Sequence, residues 1–316
     1  MLGLIKNLHK AGVIGINKRN ADYTLRYNPR RLYPLVDDKA QTKQLAFQAG
    51  IATPELYYTV EIEHQIKGLP AILEQYSEFV IKPAQGSGGD GIVVITGRRM
   101  GQYQKASGAL LSQSEIQHHV SNVLSGLYSL GGQPDKALIE YRVQFDPVFE
   151  NITYLGVPDI RIIILLGVPV MAMVRLPTRT SDGKANLHQG AIGAGIDIAT
   201  GKTLTAVLKN HIISEHPDTG THLEKIQVPH WDSILEIAAQ CYEMTGLGYQ
   251  GVDIVLDRDK GPLVLELNAR PGLNIQIANS SGLLHRLQLV EQHIDSLTDT
   301  ASRIQFARQH FGVNTV

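Results

Sequence analysis

Two stretches of this 316-residue chain place chemically useful groups at useful spacings. In GVDIVLDRDKGPLVLELNARPG, residues 251–272, two apolar runs flank the turn signal DRDKG. Pairing Asp257 with Pro262 sets Val252, Ile254 and Leu256 against Leu267, Leu265 and Leu263 and makes one apolar face. The same register puts Asp253 directly across from Glu266, with Asn268 two residues on and on the same side. Like charges directly opposed cost up to about 1 kcal/mol on a wet surface, and more in a cleft, unless a cation lies between them. Two carboxylates and an amide oxygen are hard ligands of the kind Mg²⁺ takes, completing its shell with water and substrate phosphates. A solvated acidic face is the plainer alternative.

The second stretch is VIKPAQGSGGDGIVVI, residues 80–95. Its core, Gly86 to Gly91, satisfies G-x-G-x-x-G, but a dinucleotide fingerprint opens a helix and IVVI is a strand signal. A Walker loop ends in Gly-Lys-Ser/Thr, whereas here Lys82 precedes the glycines and Ile92 follows them. What remains is a strand-turn-strand flap whose backbone N–H groups cover phosphates, as the glycine loop of protein kinases does, although the chain has neither HRD nor DFG. An ordinary glycine-rich hairpin turn stands beside it as the alternative.

The elements that must position these groups can be outlined from pattern. Residues 1–36 end in DYTLRYNPRRLYPLV, a basic, Tyr-rich, Pro-broken arm expected to lie on another part of the molecule. DDKAQTKQLAFQAGIATPELY is expected to be a helix with Asp at its start, Leu45, Ala46 and Ala49 on its apolar side and Gly50 as its stop. FVIKPA, IVVI and ALIEYRV are strand candidates, and DIRIIILLGVPVMAMVRLP is a hairpin of two long apolar strands. Residues 101–135 alternate helix-like and loop-like stretches; helices are expected at about 231–246 and 283–311. Lys plus Arg (29) nearly balance Asp plus Glu (30), which disfavours nucleic acid as a partner. The single cysteine, Cys241, excludes a disulfide framework and is expected to be a buried thiol in a reducing compartment. The twelve histidines lack zinc-ligand spacing. With no secretory h-region and no stretch of membrane-span length, the expectation is a cytoplasmic protein.

Taken together, Lys39 in DDK, Lys82 in VIKP ahead of GSGGDG, Glu140 in LIEY, DIR at 159–161, NLHQG at 186–190, and Asp253 followed by Glu266-Leu-Asn268 resemble an ATP-grasp ligase over roughly residues 37–280. Their order and spacing are most similar to the α-L-glutamate ligase (RimK-like) group, which adds glutamate to a peptide or protein carboxylate. The resemblance implies an α+β fold in which two subdomains grip ATP between two sheets: an arm at 1–36, a subdomain with the glycine flap at 37–136, and one with the metal site and C-terminal helices at 137–316. A separate α/β domain usually precedes the first lysine in such ligases, and here the short arm stands in its place.

The resemblance also implies roles. ATP would be bound by Lys39, Lys82, Gly86, Ser87, Gly88, Gly89 and Gly91, with Glu140 and Tyr141 as the hinge at adenine and ribose and Asp159 opening the strand that carries Arg161. Asp253, Glu266 and Asn268 would hold Mg²⁺, for which Mn²⁺ is a compatible substitute. Arg161 and Arg175 would face the transferred phosphate, Lys184, Asn186 and His188 would meet substrate or phosphate, and Arg270 would hold the acceptor or acyl-phosphate end. Partners would be ATP, a carboxylate and an amine, with a homo-oligomer compatible. Gln189 and Lys184 stand where the glutamate-ligase pattern has arginines, so the amino acid added is left open. Two other functions fit the same motifs: a non-catalytic ATP-binding subunit, and a phosphotransferase.

Overall fold

The computed structural model describes residues 7–313 apart from 9 and 87. Strands β1 (Leu56–Val60), β2 (Phe79–Pro83), β3 (Val93–Arg99), β4 (Gln102–Lys105), β5 (Leu110–Leu111) and β6 (Ala137–Glu140) form an antiparallel sheet in the order β1-β6-β2-β3-β4-β5. A second antiparallel sheet runs β11-β10-β9-β8-β7-β12-β13, from β7 (Asp159–Leu165), β8 (Val168–Leu176), β9 (Ile192–Ile196), β10 (Thr203–Leu208), β11 (His211–Ile213), β12 (Tyr249–Asp257) and β13 (Gly261–Asn268). This is the two-sheet α+β arrangement that the motifs imply.

The long apolar runs of β7 and β8 follow from where they sit. Both are central strands, and helices α3 (Trp231–Thr245), α4 (Leu284–His293) and α5 (Thr300–Phe311) pack on β8. A strand covered on its faces loses the in-out alternation and becomes nearly continuous Ile, Val, Met and Leu. The two strands join through Leu166 and Gly167 at φ 50° and 82°. Two successive positive φ values make the tight turn whose twist matches the strands, and a glycine in the second place relieves half of its strain. Cys241 on α3 is fully buried, and burial pushes its thiol up to about 12, as expected of an inert structural cysteine.

Helix α1 (Lys39–Gln48) starts as expected, with the Asp38 carboxylate accepting from the N–H groups of Ala40 and Gln41, and Gly50 at φ 70° ends it. Its inward face differs from the expected one. Ala49 is exposed, and the buried residues are Thr42, Lys43 and Ala46, so the helix carries an ammonium inward. Helix α2 (Gln113–Leu124) opens with a Ser112–Glu115 capping box and lays Ile116 and Val120 under the first sheet, in a cluster with Phe79, Ile81, Ile95 and Ile139.

The β12–β13 hairpin needs one correction. Asp253 does pair with Glu266, but a bulge follows, so Ile254 pairs with Val264 and Asp257 with Gly261. Two residues on β13 then oppose one on β12 and the alternation flips beyond the bulge. Val264, not Leu265, joins Ile254 in the main core; Leu263 and Val255 pack with Val143 on the other side, with Leu265 against them.

Residues 16–37 form short helical turns on the second sheet. The Tyr23 ring packs 5.8 Å from that of Tyr249. Asn28 clamps the end of the sheet: its Nδ2 donates to the carbonyls of Tyr249 (2.6 Å) and Ala269 (3.1 Å), and its Oδ1 accepts from the Tyr249 N–H (2.9 Å). Replacing Asn28 by Ala leaves these buried backbone groups without partners and is expected to destabilise the fold by about 2–3 kcal/mol; the urea midpoint should fall with no change in slope.

Candidate active site

The first side of the site is built on α1 and the first sheet. Lys82, near the end of β2, is almost fully buried, and its ammonium lies 2.6 Å from Glu140 Oε1 on the neighbouring strand β6. Lys43 Nζ approaches the other oxygen, Oε2, to 2.8 Å. Burial pushes the Glu140 carboxyl up, but the ammoniums of Lys82 and Lys43 outweigh that and hold it below the usual range. Glu140 is 3% exposed, and its carboxylate is the counter-ion of two lysines. Tyr141 begins the crossing to the second sheet. Its ring lies 4.2 Å below the Lys260 ammonium, and burial, with Asp257 beside it, pushes its phenol up to about 12.

Lys39, one turn before Lys43 on α1, spans the two sides: its Nζ donates to the Gly86 carbonyl at 2.7 Å and lies 3.7 Å from Glu266 Oε1. Gly88, Gly89 and Gly91 all take positive φ (68°, 83° and 74°), the conformation for which a turn of this shape requires glycine. Ser87 lies outside the described residues. The turn is covered by the loop that carries NLHQG. Lys184 Nζ reaches Asp90 Oδ1 at 3.2 Å, its stem passes over Gly89, and the Asn186 amide faces Gly88. Such an exposed pair contributes about 1 kcal/mol at most, so the turn and the loop can part readily. His188 sits one turn away and is exposed, its N–H bonded to Asn186 Oδ1.

The second side lies on β7, β8, β12 and β13. Arg161 holds Asp253 through two bonds, Nε to Oδ1 (2.7 Å) and Nη2 to Oδ2 (2.6 Å). Arg175 binds Asp159 in the same forked manner and donates to Asp253 Oδ2 at 2.7 Å. Burial pushes Asp159 up to about 6, against the pull of Arg175 and with a further push from Asp253. Burial also pushes Asp253 up, but Arg161 and Arg175 overcome it and keep the carboxylate below its ordinary range. The Asn268 amide lies 3.3 Å from Asp253 Oδ2. Arg270 lies with its guanidinium 4.9 Å from the centre of the Tyr33 ring, on the arm, while Arg19 of the arm donates to the carbonyls of Arg270 and Pro271.

Asp253, Glu266 and Asn268 fit Mg²⁺ by donor type, two carboxylates and one amide on adjacent strands. Among the described residues no three His, Cys, Asp or Glu side chains form a metal cluster, so a cation here would depend on ligand oxygens from outside the protein and would share Asp253 with two guanidiniums.

Pattern reasoning missed Lys43, Asp90 and Tyr33. Lys43 was within reach, being four residues after Lys39 and so on the same helical face. Asp90 and Tyr33 meet partners about a hundred residues or more away and leave no local signal.

The family profile of the sugar-transfer associated ATP-grasp proteins matches residues 18–292, and the chain belongs to that family. One solved structure of similar fold, the ATP-grasp ligase PsnB complexed with a phosphomimetic variant of its minimal precursor, Mg and ADP, is 14% identical (TM-score 0.44; 85% of this chain, 60% of that one). A curated relative, a "Probable alpha-L-glutamate ligase" of Syntrophotalea carbinolica, is 23% identical over 264 residues, covering 81% of this chain and 64% of that protein. The chain thus spans a little under two thirds of that relative's length. Among solved structures, D-cycloserine synthetase DcsG is 17% identical (TM-score 0.47; 84% of this chain, 73% of that one). The D-alanine-D-alanine ligase of Coxiella burnetii is 15% identical (TM-score 0.44; 88% and 58%).

Replacing Asp253 by Ala would leave two buried guanidiniums without their shared carboxylate. The expected loss is about 3–5 kcal/mol of folding stability, readable as a lowered denaturation midpoint.

Proposed function

We propose that this protein is an ATP-dependent carboxylate–amine ligase working through an acyl phosphate. The observation that carries the reading is the reach of Lys39 from the glycine turn to Glu266, which sets the phosphate-type flap and the oxygen ligands against one ammonium. A substrate carboxylate oxygen attacks the γ-phosphorus of ATP, the bond to the β,γ-bridging oxygen breaks, and ADP leaves. An amine then adds to the acyl carbon, the C–O bond to phosphate breaks, and the amine proton leaves with the departing phosphate, giving an amide.

Little proton transfer by side chains is needed; positioning and charge neutralisation supply most of the rate. Lys82 and Lys39 meet the phosphates from the flap side, and Arg161 and Arg175 face the transferring group from β7 and β8. Bound Mg²⁺ would neutralise the β- and γ-phosphate oxygens, with Asp253, Glu266 and Asn268 as its protein ligands. Gly86, Gly88, Gly89 and Gly91, closed over by Lys184 and Asn186, keep water from the acyl phosphate. Arg270 would hold a substrate carboxylate. On this reading 37–136 and 137–316 are the two halves of the grip, and the use of ATP places the protein in the cytoplasm. No helix among the described residues is long and apolar enough to cross a membrane.

The substrates are best sought among amino acids and peptides, small-molecule carboxylates and amino sugars, since the family bears a sugar-transfer description and the curated relative a glutamate-ligase one. Incubation with Mg-ATP and a panel of these, read by mass spectrometry, should yield ADP, phosphate and a product formed with loss of water. Glu266→Ala should lower turnover by about a hundredfold or more. ATP binding with no turnover across the panel would favour a non-catalytic subunit instead.

A further inference from the structure

We propose that Lys43, which does not face the nucleotide cleft directly, supplies the charge that makes the phosphate side of the cleft positive, by offsetting Glu140 so that Lys82 remains available to an anion.

The inference rests on the ATP-binding reading above and on one cluster. Lys82, Glu140 and Lys43 are 3%, 3% and 8% exposed, and the carboxylate lies between two ammoniums at 2.6 and 2.8 Å. Two positive charges and one negative leave the cluster at +1. Without Lys43 it would be a closed, neutral Lys82–Glu140 pair, and a phosphate approaching Lys82 would meet the Glu140 charge uncompensated in a region of low polarisability. Lys43 makes its directed hydrogen bond to the Pro54 carbonyl, and Glu140 Oε2 receives no well-aligned hydrogen bond. Its hold on Glu140 is therefore chiefly electrostatic, which is the kind of interaction a charge-neutral substitution removes cleanly. The helix serves both sides of the cleft at once, with Lys39 and Lys43 one turn apart on α1.

A titration follows from the same geometry. The charged groups bearing on Lys43 are Glu140 on β6, which holds its proton on, and Lys82 on β2, which opposes it; burial, reinforced by Lys82, outweighs Glu140 and brings Lys43 down to about 8. A lowered lysine pKa means that the charge is present below about 8 and lost above it, so nucleotide affinity should fall as pH rises through that value, beyond the range where ADP itself titrates.

The test is calorimetric binding of Mg-ADP at about pH 7 and pH 9 to wild type, Lys43→Met, and the double variant Lys43→Met/Glu140→Gln, with thermal melts of each. Lys43→Met should weaken binding about tenfold at pH 7. The double variant restores +1 and should recover to within about threefold of wild type, and wild type alone should weaken toward pH 9. A folded Lys43→Met that binds normally at pH 7, or a folded double variant that binds no better than the single, overturns the inference. If wild type binds no Mg-ADP at all, the functional reading falls with it, whereas the other contrary outcomes remove only the role of Lys43.

Discussion

The second sheet is organised around one buried carboxylate. Asp253 sits in a strand with no exposed residue, and a lone carboxylate there would not remain ionised. Two guanidiniums resolve this, Arg161 from the adjoining strand β7 and Arg175 from the strand beyond, with Asp159 balancing the second of them. Because each partner is on a different strand, the network fixes the mutual register of β7, β8 and β12 as well as satisfying the charge. It also sets two arginines and two carboxylates among the largely apolar residues of β7, β8 and β12. In the proposed reaction, a ligand bringing its own cation and its own negative oxygens would exchange into this network, the cation toward Asp253 and the anion toward the arginines.

The first sheet solves the same problem with lysine. Ammonium groups are compact point charges, and Lys82 and Lys43 flank Glu140 where a planar guanidinium would demand forked geometry. Helix α1 then ties the two solutions together, since Lys39 extends from the same face to Gly86 and Glu266. Weak contacts complete the closure: the exposed Lys184–Asp90 pair holds the glycine turn in place without locking it, which suits the admission of ATP and release of ADP in the proposed reaction.

Much of this could be read from pattern because it depends on short-range periodicity. The alternation of VDIVLD and LVLELN is strong enough to place Asp253 opposite Glu266, and the glycine string between two strand signals is enough to reject the helix-opening nucleotide loops. The bulge after Asp253 could not be foreseen, since apolar residues at both 264 and 265 suit either register and only packing against Val143 and the main core decides. The ion pairing of Glu140 was hidden for a similar reason: nothing local in LIEY shows that two lysines, one on β2 and one on α1, lie against its carboxylate. The arm was legible only as an arm. Its hold on the backbone of Tyr249, Ala269 and Arg270 depends on contacts more than 200 residues apart in sequence.

In the proposed reading, phosphates bind between the lysine-bearing sheet and the arginine–carboxylate network. The most direct measurement is a crystal structure of the protein with Mg²⁺ and a non-hydrolysable ATP analogue. Phosphate oxygens are expected at about 3 Å from Lys82 and Arg161, with the cation at Asp253, Glu266 and Asn268 and the Arg161–Asp253 fork loosened. A nucleotide bound elsewhere, or bound in the cleft with its phosphates turned away from both lysines and arginines, would contradict it.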